Sequence, residues 1–312
     1  MDIRGTMSTG TITIDRSKHP DVVLPVDYEF AGVYADAVCE GALVAARSKV
    51  CIVGLARNIG GILPVSISRI EETVRHFAAW KAVVFENDSE DDTKAVLSQW
   101  AADDPEHVVV QLVDDGRPHL HGFEQARVVA MADYRNRCRE MVREHMPDAD
   151  YVVVLDLDAW GGWSVHGIIN GIGWHSRMPK AACMASTSLF KHRGTFIDGK
   201  APWAHYDNWA YRWLGWASRI GPWFTFWLPP PGAPPIEVNS AFGGCGIYKT
   251  QPYLEAEYSG DNGDCEHVNL HRTMKDKGWT IHLNPAQRCV MAWLADEDEE
   301  PFDGGQHRNH QR

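Results

Sequence analysis

The sequence predicts an α/β domain with a mostly parallel central sheet, helices on both faces and an aromatic-rich second half. Three observations predict it. Short, almost wholly apolar runs recur at residues 50–55, 82–85, 108–113 and 151–155. The segments between them carry apolar residues at helical rather than alternating spacing. Strands that alternate with helices make βαβ units, and a parallel sheet buried on both faces produces uniformly apolar strands. The second half differs in composition: nine of the 13 tryptophans fall between Trp160 and Trp227.

Each element follows in order. Residues 1–49 read as an extension, polar and turn-rich at first, with residues 31–46 small and apolar enough for a short helix packed on the domain. The first strand is 50–55. Ser68-Arg-Ile-Glu71 fits a capping box, with Ile67, Ile70, Val74 and Phe77 at helical spacing. A strand at 82–85, a short helix at 91–100 and a strand at 108–113 come next. Residues 124–145 form a long helix with Met131, Tyr134, Cys138, Met141 and Val142 on one face. The fourth strand is 151–155. Beyond it, His205-Tyr-Asp-Asn-Trp209 opens a short helical stretch, and residues 229–235 are a proline-stiffened loop. Residues 238–249 read as a strand whose glycines allow a close approach. Asp264 is placed to cap a helix beginning at Cys265. The acidic run from residue 296 to 312 reads as a flexible tail. One domain, 50–295, is expected, divided at 158/159 into two halves.

Composition narrows the function. The formal charge of −12 argues against a surface built to coat nucleic acid or anionic membrane. No apolar run reaches the roughly 18 residues of a membrane span, and the N-terminus lacks a signal-like stretch. Seven cysteines, an odd number with no C-x-x-C pair, suit neither a disulfide framework nor a zinc ribbon. A cytoplasmic protein is expected.

In parallel sheets, ligands gather at the carboxyl ends of strands. The first strand ends in Ala56-Arg57-Asn58, the second in Glu86-Asn87-Asp88-Ser89 and the fourth in Asp156-Leu157-Asp158. Asp and Asn there serve equally as turn residues. Of three Asp-x-Asp pairs, only Asp156/Asp158 follows directly from a buried strand. Its hard oxygens suit Mg²⁺ or Mn²⁺ beside a diphosphate. Arg135, Arg139 and Arg143 recur every four residues, either as a diphosphate clamp or as a solvated face paired with Glu140 and Glu144. His267-Val-Asn-Leu-His271 has zinc spacing, but Val268 stands where a zinc protease needs Glu, which excludes that class. Glu266-His267 at a helix start can supply a base and a further metal ligand, or be a solvated pair. His271 and His282 remain alternatives for that ligand.

The ordered set resembles nucleotide-sugar glycosyltransferases of the GT-A (Rossmann-like) fold. More narrowly, it is similar to the cryptococcal, capsule-associated α-1,3-mannosyltransferases and their bacterial and viral relatives. The motifs carrying it are Ala56-Arg57-Asn58, Phe85-Glu-Asn-Asp-Ser89, Arg135-Asn136, Leu155-Asp-Leu-Asp158, Tyr206-Asp207, Ser240-Ala-Phe-Gly-Gly244 and Cys265-Glu-His267. The resemblance implies that Arg57, Glu86 and Asp88 border the nucleotide and that Arg135 reaches donor phosphate or sugar. It places Asp156 on ribose or sugar, Asp158 on Mn²⁺ or Mg²⁺, Glu266 at the reacting centre and His267 near metal or diphosphate. It also implies retention of anomeric configuration, with departing phosphate taking the acceptor proton. Tyr206, Asp207 and Trp209 are the expected acceptor contacts.

The expected function is metal-dependent transfer of a sugar from a GDP- or UDP-linked donor to an acceptor hydroxyl. Two alternatives accompany it. One is sugar modification of hydroxymethylated bases in viral DNA, for which an aromatic-rich half suits a flipped base. The other is a carbohydrate-binding, catalytically degenerate module. A nucleotidyltransferase is disfavoured because no Gly-rich phosphate loop with a Lys is present.

Overall fold

The computed structural model describes residues 24–120, 122, 124–191, 202–217 and 223–291. The expected tail at 296–312 and residues 1–23 of the N-terminal extension lie outside the described residues.

After one turn of 3₁₀ helix at Tyr28–Phe30, the elements are α1 (Ala31–Ala45), β1 (Lys49–Ala56), α2 (Leu63–Val74), β2 (Ala79–Asn87), α3 (Thr93–Asp103), β3 (Val108–Val113), α4 (Gln125–His145) and β4 (Tyr151–Asp156). The second half adds β5 (Gly162–Trp163), α5 (Val165–Arg177), β6 (Ala181–Lys191), β7 (Trp203–His205), α6 (Trp223–Phe226), β8 (Ile236–Val238), β9 (Cys245–Lys249), α7 (Thr250–Glu255), α8 (Glu266–Asp276) and β10 (Thr280–Val290).

The strands join in the order β3-β2-β1-β4-β9-β6-β10-β5, with β7 beside β6 and β8 beside β10. The long pairings are parallel: β1 with β2 and β4, β2 with β3, and β6 with β10. The antiparallel pairings, such as β4 with β9, are shorter. This is the α/β architecture that the alternating pattern predicts. From β1 the chain steps outward to β2 and β3, then returns across β1 to β4. The crevice between the carboxyl ends of β1 and β4 is therefore the topological switch point, where such sheets bind ligands.

Both faces of the sheet are covered. Cys51 and Val53 of β1, with Val152 and Val154 of β4, face Cys138, Met141 and Val142 of α4. Val50, Ile52, Val153 and Leu155 face Leu63 and Ile70 of α2, Leu97 of α3 and Ile168 and Ile172 of α5. Helix α1 packs on α5 through a stripe of small residues, Ala37, Gly41 and Ala45. A Cβ on Gly41 would stand 1.8 Å from the Ile169 carbonyl oxygen, and one on Gly173 2.0 Å from that of Ala37. The two helix backbones can approach this closely only without those atoms.

Several local expectations are corrected. Helix α2 begins at Leu63, with Pro64 in its first turn, so Ser68 and Glu71 lie within the helix and form no capping box. Residues 205–209 end a short strand instead of opening a helix. Residues 238–249 are two strands parted by a loop. Gly243 and Gly244 lie in that loop with φ of +65° and +79°. Asp264 does not receive a helical N–H beyond Cys265. It pairs with the fully buried Arg212, whose guanidinium also donates to the carbonyls of Trp209 (2.8 Å), Tyr211 (2.8 Å) and Trp216 (3.2 Å). That ion pair anchors residues 209–216 to the start of α8.

Candidate active site

A cleft of about 580 Å³ opens at the switch point. Its walls include Arg57 after β1, Arg135 on α4, Asp156 and Asp158 after β4, Tyr206, Asp207 and Trp209 after β7, and Glu266 and His267 at the start of α8.

Asp156 is the last residue of β4. Its N–H donates to the Gly244 carbonyl at 2.8 Å. A Cβ on Gly244 would meet the sulfurs of Cys289 and Met291 at 2.9 Å and Asp156 Oδ2 at 3.7 Å. Gly244 is thus required both for its left-handed φ and for room against those two sulfurs. Arg135 links this strand to α8: its Nε donates to Glu266 Oε1 at 2.9 Å and its Nη2 to Asp156 Oδ1 at 3.4 Å. The guanidinium lies 5.1 Å from the Phe242 ring centroid and 5.9 Å from that of Tyr258. Burial alone would weaken its charge, but Glu266 and Asp156 outweigh this and hold it protonated. For Asp156, burial dominates; with Asp158 and Asp207 nearby, it pushes the carboxyl up to about 7 against the pull of Arg135.

His267 lies flat on Phe242, with ring centroids 3.8 Å apart, and receives the edge of Tyr258. Only 2% of it is exposed, yet neither ring nitrogen has a hydrogen-bond partner. Burial, then Arg135 and His271, hold it well below the usual histidine range. It is a neutral imidazole with a free lone pair, the form that ligates metals. The other two histidines are placed differently. His271 is hydrogen-bonded through both nitrogens, to Ser240 at 2.8 Å and Tyr248 at 3.0 Å. His282 bonds Thr280 and stands outside the cleft lining.

The donor set fits a divalent ion of the Mn²⁺ or Mg²⁺ kind. Asp158 and His267 both line the cleft, and the ring nitrogens of His267 are buried without a hydrogen-bond partner. Among the described residues, no three His, Cys, Asp or Glu side chains form a complete cage. A diphosphate site does not require one, since such ions take one or two protein ligands and the rest from phosphate and water.

Glu86 and Asp88 do not line the cleft; Asn87 between them does. Glu86 lies near the end of β2 and Asp88 just after it, one strand away from the switch point, and each carboxylate accepts a local backbone N–H, while Glu86 Oε2 stays without a hydrogen-bond partner. Glu86 Oε1 accepts the Ser89 N–H at 2.8 Å, and Asp88 accepts from Gly116 N–H at 2.7 Å and from Asn87 at 3.1 Å. The three arginines of α4 also separate. Arg135 enters the cleft. Arg139 donates to the carbonyls of Tyr253 and Leu254 at the end of α7, and Arg143 pairs with Glu140. They form no shared clamp, and only Arg143, exposed and paired with Glu140, keeps to the solvated face.

The aromatic platform is smaller than the tryptophan count suggests. Tyr206 and Trp209 line the cleft, joined by Phe190 and Phe242. Trp163 is fully buried and donates to Thr73. Asp207 reaches the cleft, but its oxygens accept the backbone N–H groups of Ala210 at 3.1 Å and Gly243 at 3.0 Å. It braces the glycine loop beneath Asp156. Burial raises its carboxyl despite those donors. The motif reading missed Asn87, and it placed Tyr134 only on the apolar face of α4. The Asn87 amide donates to the Tyr134 hydroxyl at 3.3 Å.

No protein-family model matches the sequence, and no curated protein matches it. Solved structures do. The mannosyltransferase PcManGT from Pyrobaculum calidifontis, in complex with GDP-Man and Mn²⁺, matches with a TM-score of 0.50 at 13% identity, over 90% of this chain and 70% of that one. GalNAc-T7, with UDP, GalNAc and Mn²⁺, matches at 0.49 and 13%, over 86% of this chain and 53% of its own. Residues 1–349 of TarS from S. aureus match at 0.41 and 10%, over 81% and 59%. The chain therefore shares the fold of the PcManGT mannosyltransferase. Among the described residues, no helix is long and apolar enough to cross a membrane.

Proposed function

We propose that this chain is a metal-dependent glycosyltransferase that moves a sugar from a GDP- or UDP-linked donor to an acceptor hydroxyl, with retention. One observation carries the reading. At the switch point, the carboxylates of Asp156 and Asp158 share a cleft with a buried, neutral His267 whose ring nitrogens have no hydrogen-bond partner, Nε2 standing 3.8 Å from Glu266 Oε1. A binding module has no need of such a metal-ready donor set. The Mn²⁺ in the PcManGT complex supports it, and its GDP-Man makes GDP-mannose the first donor to try.

Asp158 and His267 would hold the ion, which supplies Lewis-acid stabilisation of the departing diphosphate. Arg135 holds Glu266 and Asp156 in register under the sugar. Glu266 Oε1 is already engaged by that guanidinium at 2.9 Å, which turns it toward Arg135 instead of an acceptor hydroxyl. This supports retention: the sugar C1–O bond to phosphate breaks, the acceptor oxygen bonds C1, and its proton leaves on the diphosphate. The motif resemblance to the cryptococcal mannosyltransferases points the same way. Tyr206 and Trp209 offer aromatic faces to an acceptor sugar. The seven cysteines are free and six are buried, which supports a reducing cytoplasmic setting.

The test is release of GDP or UDP from a panel of nucleotide sugars, with Mn²⁺ and with chelator. Turnover that requires Mn²⁺ is expected. No turnover and no Mn²⁺-dependent stabilisation by any nucleotide would refute the reading. Acceptor use that collapses with added salt would transfer it to a DNA base.

A further inference from the structure

The turns after β1 and β2 are stitched together. Asn58 N–H donates to Ser89 Oγ at 2.9 Å, and Glu90 N–H donates to Asn58 Oδ1 at 2.8 Å. Asn58 and Asp88, both at φ +53°, are the non-glycine residues with left-handed backbone among those described. Such conformations cost about 1 kcal/mol or more and persist where the surroundings impose them. Here they direct two side chains at one segment. Arg57 donates through Nη2 to the Arg117 carbonyl at 2.8 Å and through Nη1 to that of Pro118 at 3.4 Å. Asp88 Oδ1 accepts the Gly116 N–H at 2.7 Å. Three bonds thus tie the β3–α4 loop to the β1 and β2 ends.

That loop forms a wall of the cleft through Pro118, His119 and Leu120. It is flanked by Gly116 at φ +65° and Gly122 at φ +71°, each in open space. Arg117 adds a bond to Asp133 and lies over the Tyr134 ring, tying the loop to α4 as well. Burial would raise the Asp88 carboxyl, but Asn87, the Gly116 N–H and Arg57 outweigh it and keep it ionised.

We propose that Arg57, from within the cleft lining, and Asp88, from outside it, are positioning residues that latch the 116–120 loop over the cleft, and that they serve the donor chiefly through this loop. The proposal rests on the glycosyltransferase reading for its second half only. The loop half is read without ligand, by hydrogen exchange of the 116–120 amides in Arg57→Ala and Asp88→Gly, the glycine being compatible with the local φ. Each variant loses hydrogen bonds to a charged group, so exchange there should rise about ten- to hundredfold, while amides of β1 and β4 stay protected. Unchanged exchange at 116–120 in both variants overturns the latch. General loss of protection in one variant marks unfolding, and the other variant then decides.

The donor half uses GDP and UDP with Mn²⁺. If both residues act through one loop, the double variant should bind nucleotide no more than about twofold weaker than the worse single variant. Losses that multiply would mean separate direct contacts and overturn the indirect role. A wild-type chain that binds neither nucleotide sinks the function proposed above, whereas the exchange result still decides the latch.

Discussion

Replacing Arg135 by Met keeps the apolar stem of the side chain and removes its charge. The guanidinium is 7% exposed and the Glu266 side chain 6%, so water compensates for little. Two carboxylates, Glu266 at 2.9 Å and Asp156 at 3.4 Å, lose their shared cation. Removing one partner of a buried pair costs about 3–5 kcal/mol, because the other charge stays buried. At this chain length each kcal/mol corresponds to about 2–3 °C, so Tm should fall by roughly 6–15 °C at pH 7.5. The sign of the pH effect is fixed too. Burial already raises Asp156 to about 7 with Arg135 present, and losing the cation raises it further. The variant's penalty is therefore largest above that range and shrinks as falling pH protonates Asp156. Differential scanning fluorimetry of Arg135→Met, Glu266→Gln and the double variant checks this. The double variant should recover at least half the loss. A single-variant cost under about 1 kcal/mol, or no recovery in the double, would refute the buried-charge reasoning.

Other outcomes follow from the same geometry. Asp158→Asn should leave Tm within a few degrees yet lower donor turnover by about 10³-fold, the scale of losing a preorganised electrostatic group; initial rates with Mn²⁺ check it. His175, His205 and His271 are each held down to about 3, chiefly by burial. Their depressed values mean that the unfolded chain takes up protons the folded chain refuses. Stability should be full above about pH 6.5 and fall toward pH 3, by up to about 1.4 kcal/mol per pH unit for each histidine; urea titrations at pH 7, 6 and 5 measure the slope. Gly173→Ala places a Cβ against the Ala37 carbonyl and should cost about 3 kcal/mol by pushing α1 from α5; an unchanged unfolding midpoint would show that the two helices do not dock so closely.

The first half of the fold was legible because β1, β2 and β4 are buried on both faces and so read as unbroken apolar runs. Strands β6 and β10 carry Ser186, Thr187, Ser188, Asn284, Gln287 and Arg288 in their buried stretches. Some of their polar groups are met inside the protein, as where Gln287 donates to the carbonyls of Met184 and Cys245, while Thr187 Oγ1 and Gln287 Oε1 are buried without a hydrogen-bond partner. A pattern built on hydrophobicity passes over such strands. At the site, Asp156 and Asp158 were readable because a buried strand delivers them directly to its end. Glu86 and Asp88 share that local pattern, since a strand-end carboxylate that closes its own turn has the same local sequence as one that lines a cleft. The pairing of Arg135 with Glu266 joins residues 131 positions apart. The i+4 spacing of the α4 arginines held no trace of it, because the register between α4 and α8 is set by tertiary packing.

The central claim is that the β1–β4 crevice binds a nucleoside diphosphate through a metal held by Asp158 and His267. A crystal structure with Mn²⁺ and GDP or UDP, with the ion located by its anomalous signal, tests it most directly. The account predicts one strong peak bonded at about 2.0–2.2 Å to Asp158, His267 and diphosphate oxygens, with the nucleotide in the cleft. A nucleotide bound elsewhere, or a metal in the cleft that touches neither residue, would contradict it.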